Sequence, residues 1–282
     1  MTGPAAPGPD LGDPGALAAV LRAAGCVFAE DEAALLLGEL PAHPDPAWLP
    51  EAVARRVAGV PLEQVVGWAA FAGLRLPVAP GVFVPRRRTE LLARLAVAAA
   101  RDVPARSGAP TVLDLCCGTG AVGAVVERDV PSAVVWAVDL DPAAADCARR
   151  VLAEPDRVLV GDLCAPLPDD LWGSVDVVAA NAPYVPTGAL ATMPPEARLH
   201  ERGAALDGGA DGTALQARVV TEAVGWLRPG GRLLVETGRD QADATAALFA
   251  AAGLRPVVHR DDDVDGTVVA GVRPASGTAS RP

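Results

Sequence analysis

Apolar and polar residues recur along the chain with two different periods. From about Gly15 to Val60, "ALAAVLRAAG", "DEAALLLGEL" and "PEAVARRVAGV" have apolar residues three and four positions apart, the spacing of an amphipathic helix. "FAGLRLPVAPGVFVPRRR" then has short apolar runs interrupted by glycine and proline, which is typical of a hairpin-like connector. "TELLARLAVAAARDV" returns to the helical period. The N-terminal part therefore predicts a small helical domain, a hairpin linker and a further helix.

Strand-like apolar runs alternate with helical segments from Thr111 onwards. The runs are "TVLDLC", "AVVWAVD", "RVLV", "VDVVAAN" and "GRLLVE", followed by the pair "RPVVH" and "TVVAGV". "DPAAADCARRVLA" and "TALQARVVTEAVGWL" lie between them with helical spacing. Near-continuous apolar strands joined by helices form an open, mostly parallel sheet covered on both faces. We therefore predict an α/β fold with a Rossmann-like sheet, whose ligands bind beyond the carboxyl ends of the strands.

Composition and charge narrow the class of protein. A hydrophobic fraction of 51% in 282 residues suits a soluble globular protein with one large domain and a smaller one. All 24 basic residues are arginine, which excludes lysine Schiff bases and the lysine-anchored cofactor pyridoxal phosphate. The net charge of −11 argues against a protein whose main function is to bind the phosphate backbone of a nucleic acid.

The sequence also favours the cytoplasm. The N-terminus "MTGPAAPGPDLGDPG" has no basic segment ahead of an apolar one, and no apolar run is long enough to span a membrane. The five cysteines are odd in number, and the adjacent Cys116 and Cys117 fit no metal-ligand or redox spacing. We expect these two thiols to be small packing residues, and we expect no metal site.

A glycine-rich loop follows the first predicted strand of the sheet. "VLDLCCGTGAVG" places Gly118, Gly120 and Gly123 in the order G-x-G-x-x-G between a strand and a helix. By itself this pattern equally admits a dinucleotide, or a tight turn without a ligand. Asp114, in the preceding strand, would repel a pyrophosphate but could attract the ammonium and sulfonium groups of S-adenosylmethionine. We therefore favour S-adenosylmethionine over a nicotinamide cofactor.

Acidic residues also end the next two strands. Asp139, about 20 residues beyond the loop, could accept hydrogen bonds from ribose hydroxyls, or cap a helix, although Asp141 is better placed to cap. Asp162, in "VGDLCAP", could accept from the adenine amino group. With their neighbours, these residues make up the predicted cofactor site: Asp114, Cys116, Gly118, Thr119, Gly120, Asp139, Leu140, Gly161, Asp162, Leu163 and Asn181.

The fourth predicted strand leads into Asn181, Ala182, Pro183 and Tyr184, and the chain contains no other asparagine and no other tyrosine. Because this strand neighbours the first at the switch point of such a sheet, the segment opens beside the cofactor. Asn181 could accept from one N–H of an amide or aromatic amine, and the backbone carbonyl of Ala182 from the other. Pro183 stiffens the turn, and Tyr184 offers an apolar face and a hydroxyl. We predict these four as catalytic residues, the alternative being an ordinary turn.

Beside these motifs, three flanking segments carry a family resemblance that covers roughly residues 55 to 272. "GVFVPRRRTE", "HERGAALDGGADGTALQARVV" and "LLVETGRDQ" resemble segments of the protein N5-glutamine methyltransferase family, which modifies the glutamine of the Gly-Gly-Gln motif in peptide chain release factors. The matching positions are Gly81 to Arg86, Thr89, Glu90, Glu201, Leu206, Gly208, Gly209, Asp211, Gly212, Glu236, Gly238 and Gln241. The resemblance implies S-adenosyl-L-methionine as cofactor and a release factor or another glutamine-bearing protein as partner.

Two departures from the family's pattern bear on the substrate. Ala182 stands where the family usually has the first proline of Asn-Pro-Pro-Tyr, and we expect it to be tolerated because this position is expected to act through its backbone carbonyl. Arg87 and Arg88 replace a proline and an acid, and for the three arginines Arg86, Arg87 and Arg88 we favour a solvated surface over a docking patch. A paralogue that acts on another glutamine-bearing protein therefore stays open.

The main alternative function is an amino-methyltransferase acting on adenine or guanine of DNA or RNA. Such enzymes use a similar Asn/Asp-x-Pro-Tyr motif for the same electronic reason, but they must also hold an extruded base and its backbone. The acidic balance and the lack of an aromatic-basic recognition segment oppose this function. A non-catalytic binding protein is a second alternative, which the intact acceptor motif opposes.

These patterns divide the chain into five predicted segments. They are a disordered tail over 1–14, a helical N-terminal substrate-binding domain over 15–75, a hairpin linker and helix over 76–108, a methyltransferase domain over 109–273 and a disordered tail over 274–282. We expect a monomer without membrane attachment.

Overall fold

The computed structural model of the protein describes residues 10–104 and 108–275. The described residues form ten α-helices: α1 (Pro14–Ala23), α2 (Ala29–Glu39), α3 (Trp48–Val57), α4 (Leu62–Val66), α5 (Glu90–Arg101), α6 (Ala121–Asp129), α7 (Pro142–Arg149), α8 (Pro195–His200), α9 (Ala214–Trp226) and α10 (Ala242–Ala251). They form nine strands: β1 (Trp68–Phe71), β2 (Leu74–Pro77), β3 (Thr111–Leu115), β4 (Val134–Asp139), β5 (Val158–Val160), β6 (Val175–Ala180), β7 (Leu227–Glu236), β8 (Arg255–Asp261) and β9 (Gly266–Val272).

The first four helices pack around a core of their own, in which Leu17, Leu21 and Leu36 are fully buried. Helix α1 begins at Pro14, the last residue of the predicted N-terminal tail, and residues 1–9 and 276–282 of the two predicted tails lie outside the described residues. Strands β1 and β2 form an antiparallel hairpin. The second strand of this hairpin, Leu74–Pro77, includes the predicted domain boundary between residues 75 and 76. The division of the chain into domains stays a prediction.

The remaining strands form one seven-stranded sheet with the order β5-β4-β3-β6-β7-β9-β8. The first five strands of this order are parallel, and β9 runs antiparallel to both of its neighbours. Successive residues of β3, Val112 and Leu113, belong to two different apolar clusters, because side chains of a strand point alternately to opposite faces. Both faces are therefore covered, and the predicted Rossmann-like α/β fold is confirmed.

The start of β7 differs from the prediction. The Pro-Gly-Gly sequence before "RLLVE" is typical of a turn, yet the strand begins at Leu227. The register between β6 and β7 shifts between Val175 and Val177, and an irregularity of this kind accommodates extra residues on one strand.

The carboxyl ends of three strands meet at one edge of the sheet. In the middle of this edge, Leu115 of β3 is paired with Val138 of β4 on one side and with Ala180 of β6 on the other. The predicted neighbourhood of the first and fourth strands is thereby confirmed. None of the helices in the described part of the chain has the length and apolar character that a membrane span requires.

Candidate active site

The glycine loop between β3 and α6 turns through residues with left-handed backbone. Gly118 has φ 55° and Gly120 has φ 76°, and a side chain at Gly120 would bring its Cβ within 3.0 Å of the Cβ of Ala148. Both glycines are therefore required by conformation, and the second also by space. Between them, the Thr119 hydroxyl is buried without a hydrogen-bond partner among the described residues. A buried hydroxyl without a partner is costly, so its position suits a bound polar ligand.

Asp139, at the end of β4, accepts hydrogen bonds from the glycine loop and from the residues that follow β4 and β5. Its Oδ2 accepts from the backbone N–H of Gly118 at 2.8 Å, its Oδ1 from that of Asp141 at 2.8 Å, and its backbone oxygen from that of Gly161 at 3.0 Å. Burial raises the pKa of Asp139, and the backbone hydrogen bonds lower it. Asp141 caps α7, as the sequence indicates. The Asp139 carboxylate retains acceptor capacity for further hydrogen bonds, since its two oxygens offer about four lone-pair sites.

Asp114 and Asp162 lie in opposite environments. Asp114 is 2% exposed and its Oδ2 accepts from the N–H of Gly123 at 2.9 Å. The pKa of Asp114 is raised to about 8 in total. Burial is the main cause, the hydrogen bond from the N–H of Gly123 acts in the opposite direction, and the charge of Asp139 adds to the increase. A cation bound beside Asp114 would favour its ionised form. Asp162 is exposed, and its Oδ2 forms an ion pair with Arg218 at 3.0 Å. The sequence analysis did not predict this arginine as a partner of Asp162.

The other predicted cofactor residues surround the same edge. Leu140 is 63% exposed, which leaves an apolar side chain beside the end of β4. Leu163 is buried and has a positive φ of 46°. Cys117 is buried and Cys116 partly buried, and burial raises the pKa of both thiols. Both cysteines therefore stay protonated near neutral pH, in agreement with a packing role.

If Asp139 binds the cofactor's ribose, Asp139→Ala will weaken binding of S-adenosylmethionine by about tenfold or more, since it removes hydrogen bonds to a charged acceptor. Isothermal titration calorimetry measures this effect. Asp146→Ala, a change of an exposed carboxylate on α7 outside the predicted cofactor site, is the matched control and should leave the dissociation constant unchanged. An unchanged dissociation constant in a folded Asp139→Ala protein would remove the ribose role.

Residues Asn181 to Tyr184, here called the acceptor segment, follow directly after β6, and the first side chain of the segment is held by a hydroxyl. The amide nitrogen Nδ2 of Asn181 donates to Oγ1 of Thr89 at 3.2 Å. Ala182 is fully buried. The hydroxyl of Tyr184 donates to Oε1 of Glu236 at 3.4 Å, and Nε2 of Gln241 donates to the backbone oxygen of Tyr184 at 2.9 Å. The segment is thus held by residues distant in sequence on several sides.

Two glycines of "DGGADG" pack against the backbone of this segment. A Cβ at Gly208 would lie 2.7 Å from Cα of Tyr184 and 2.8 Å from the backbone oxygen of Pro183. A Cβ at Gly212 would lie 2.3 Å from the backbone oxygen of Tyr184. In addition, the N–H of Gly208 donates to the backbone oxygen of Val185 at 2.9 Å. The close approach explains why glycine is needed at these positions.

Sequence reasoning assigned no function to Thr89 and Glu236, which the structure places against the acceptor segment. Glu236 is 1% exposed at the carboxyl end of β7. Burial raises its pKa to about 7, while Thr89, Arg88 and Tyr184 lower it. The signal in the sequence was the single acid after the apolar run "LLV", at the strand end where the sheet binds ligands.

The three arginines Arg86, Arg87 and Arg88 differ in exposure: Arg87 and Arg88 are exposed, as a solvated surface requires, whereas Arg86 is partly buried. Arg86 forms an ion pair with the buried carboxylate of Glu201. Arg88 is exposed, but its charge lowers the pKa of both Glu236 and Tyr184. Arg86 and Arg88 therefore both interact electrostatically with buried carboxylates of the protein, Glu201 and Glu236.

Comparison with known proteins agrees with this arrangement. Residues 112–198 match the family model described as a methyltransferase domain, so the fold and the site define a methyltransferase domain. A release factor glutamine methyltransferase of Mycolicibacterium smegmatis is 39% identical over 243 residues, which are 84% of this chain and 82% of that relative. The chain therefore belongs to the release factor glutamine methyltransferase family.

Two further comparisons concern the methyl acceptor and the fold. A 4-amino-L-phenylalanine/4-methylamino-L-phenylalanine methyltransferase of Streptomyces pristinaespiralis is 40% identical over 203 residues, covering 71% of this chain and 69% of the relative. A methyltransferase of Pyrococcus furiosus has the same fold, with a TM-score of 0.51 at 15% identity over 78% of this chain and 97% of that one. Two relatives with nearly the same sequence identity to this chain are therefore named for different methyl acceptors.

Proposed function

We propose that the protein transfers a methyl group from S-adenosyl-L-methionine to the side-chain amide nitrogen (N5) of a glutamine in a protein, and that this glutamine belongs to the Gly-Gly-Gln motif of a peptide chain release factor. The observation that carries the proposal is the orientation of Asn181. Its amide nitrogen donates to Thr89, which leaves its side-chain oxygen as an acceptor at the end of β6, the strand paired with β3. Membership of the family supports the choice of a release factor.

The residues at the sheet edge suit S-adenosyl-L-methionine. Asp114 would face the cofactor's positive charges, Asp139 its ribose, and the unpartnered Thr119 hydroxyl is a further polar group for it. The exposed Leu140 offers an apolar contact for the adenine ring. When bound, the cofactor supplies a methyl group on a positively charged sulfur.

The acceptor segment would orient the substrate nitrogen that receives the methyl group. The lone pair of an amide nitrogen is delocalised, so the nitrogen is a weak nucleophile and must be oriented. The side-chain oxygen of Asn181 accepts one of its N–H groups, and the backbone oxygen of Ala182 accepts the other. The nitrogen becomes strongly acidic once methylated and releases a proton to water, so the site needs no strong base. Positioning and electrostatics therefore carry the catalysis.

A second candidate acceptor is the amino group of a small aromatic amine. It is favoured by the 40% identity to the methyltransferase named for 4-amino-L-phenylalanine. The amino nitrogen of an arylamine is also conjugated and also carries two N–H groups, so the same two oxygens of Asn181 and Ala182 would orient it. Nucleobase amino groups share this electronic property, but the net charge of −11 opposes a nucleic acid.

The deciding experiment offers the purified protein a labelled methyl donor together with purified release factors. Mass spectrometry of the Gly-Gly-Gln peptide locates the label, and a release factor with alanine in place of that glutamine is the matched control. We expect label on the glutamine and none on the control. Label on 4-amino-L-phenylalanine or on an oligonucleotide in parallel reactions, with none on the release factors, would overturn the protein substrate.

A further inference from the structure

A buried hydroxyl contacts one end of the acceptor segment, and a buried carboxylate contacts the other. Asn181 donates from Nδ2 to Oγ1 of Thr89 at 3.2 Å, and Tyr184 donates from its hydroxyl to Oε1 of Glu236 at 3.4 Å. Thr89 is 3% exposed and Glu236 is 1% exposed. The second carboxylate oxygen, Oε2 of Glu236, is buried without a hydrogen-bond partner among the described residues. The Thr89 hydroxyl lowers the pKa of this carboxyl group, as do Arg88 and Tyr184.

Hydrogen-bond chemistry favours one orientation of the Thr89 hydroxyl. Thr89 accepts from Asn181, so its own hydrogen is available for donation. An ionised carboxylate can only accept, and the buried Oε2 of Glu236 is the acceptor that lacks a partner. A Thr89 hydroxyl that donates to Glu236 presents a lone pair to Asn181 and must receive the amide N–H. The side-chain oxygen of Asn181 is then directed away from Thr89.

We propose that Thr89 and Glu236 are positioning residues that set the orientation of the Asn181 amide, so that its oxygen and not its nitrogen faces the methyl acceptor. The inference rests on the proposed function, in which that oxygen accepts from the substrate nitrogen. Glu236 acts through Thr89 on Asn181 and directly on Tyr184. One carboxylate thereby sets the hydrogen bonding of both polar side chains of the acceptor segment.

Protonation of Glu236 would remove this control. A neutral carboxyl group can donate to Thr89, and Thr89 can then donate to the oxygen of Asn181, which turns the amide N–H₂ towards the acceptor. The charged and titratable groups that face Glu236 are Arg88, from the 3₁₀ turn before α5, and Tyr184. On the other sides lie Val268 of β9, its register partner, and Gln216 of α9, whose Nε2 donates to its backbone oxygen at 3.2 Å. Neither of these two residues titrates.

Burial raises the pKa of Glu236 to about 7, so its titration falls in an accessible range. The ionised form is the active one. Methyl transfer at saturating substrate is therefore expected to be complete above this pH and to be lost as the pH falls through it.

The test uses the fact that Asn181 is the only asparagine in the chain. Protein labelled with ¹⁵N-asparagine has one side-chain amide pair in its NMR spectrum, and this probe requires no substrate. We expect the pair to titrate near pH 7 in the wild type. Thr89→Val, which keeps the shape but removes the hydroxyl, should shift the pair and abolish its titration, whereas Thr89→Ser should restore both. An amide pair that is unchanged in folded Thr89→Val would overturn the proposal.

Methyl transfer is the second measurement, on whichever acceptor the wild type modifies. We expect Thr89→Val to lower kcat about tenfold, with the dissociation constant for S-adenosylmethionine unchanged, and Thr89→Ser to recover most of the activity. Glu236→Gln should remove the loss of activity at low pH. A pH profile that is the same in Glu236→Gln and the wild type would contradict the role of Glu236. If the wild type methylates no glutamine, the proposed function fails, while the amide spectrum still tests the orientation of Asn181.

Discussion

Asn181→Ala is expected to lower kcat for methyl transfer by about 10²- to 10³-fold, the range found when one preorganised polar group is removed from an active site. The substrate nitrogen would lose the side-chain oxygen that orients it, and Thr89 would lose its amide donor. The glycine loop and Asp139 are untouched by this change. The dissociation constant for S-adenosylmethionine should therefore stay close to that of the wild type.

The measurement pairs initial rates of methyl transfer with calorimetry of cofactor binding. Thr192→Ala is the matched control, because Thr192 lies in the same stretch of chain and its exposed hydroxyl donates locally, to the backbone oxygen of Ala189 at 2.7 Å. The control should have wild-type rates. A large loss of cofactor affinity in Asn181→Ala would instead assign Asn181 to the cofactor site, the other role that the sequence analysis gave it.

Gly208→Ala is expected to lower the free energy of unfolding by about 1–3 kcal/mol and to remove most of the activity. The new Cβ would lie 2.6 Å from the backbone oxygen of Gly212 and 2.7 Å from Cα of Tyr184. Backbone atoms cannot rotate out of the way as a flexible side chain can. The acceptor segment must therefore shift, and a shift of the order of 1 Å costs about 10²-fold in rate when it misplaces reacting groups.

Gly203→Ala supplies the comparison for this variant. Gly203 lies in the same part of the chain, and a Cβ there would meet no atom within 4 Å. Thermal unfolding and kcat should both stay near wild-type values. A Gly208→Ala protein that unfolds and reacts like Gly203→Ala would show that the acceptor segment does not depend on close packing against Gly208.

Much of the methyltransferase sheet was predictable from local patterns. The apolar runs that define β3, β4, β5 and β6 are short and near-continuous, so they are visible in the sequence. The polar residues after these runs reach one edge because parallel strands end on the same side. The start of β7 was missed, since the irregular register beside β6 accommodates Pro229 and the glycines after it.

The sequence by itself determined the class of fold, the glycine loop and the position of Asn181 at the end of a strand, because each of these depends on residues that are close neighbours in the chain. Only the tertiary structure decided which groups hold Asn181 and Tyr184. Their partners Thr89 and Glu236 are separated from them by 92 and 52 residues. These contacts arise where the turn before α5 packs against the ends of β6 and β7. Hydrogen bonds of this kind depend on the packing of whole elements, and no local periodicity encodes that packing.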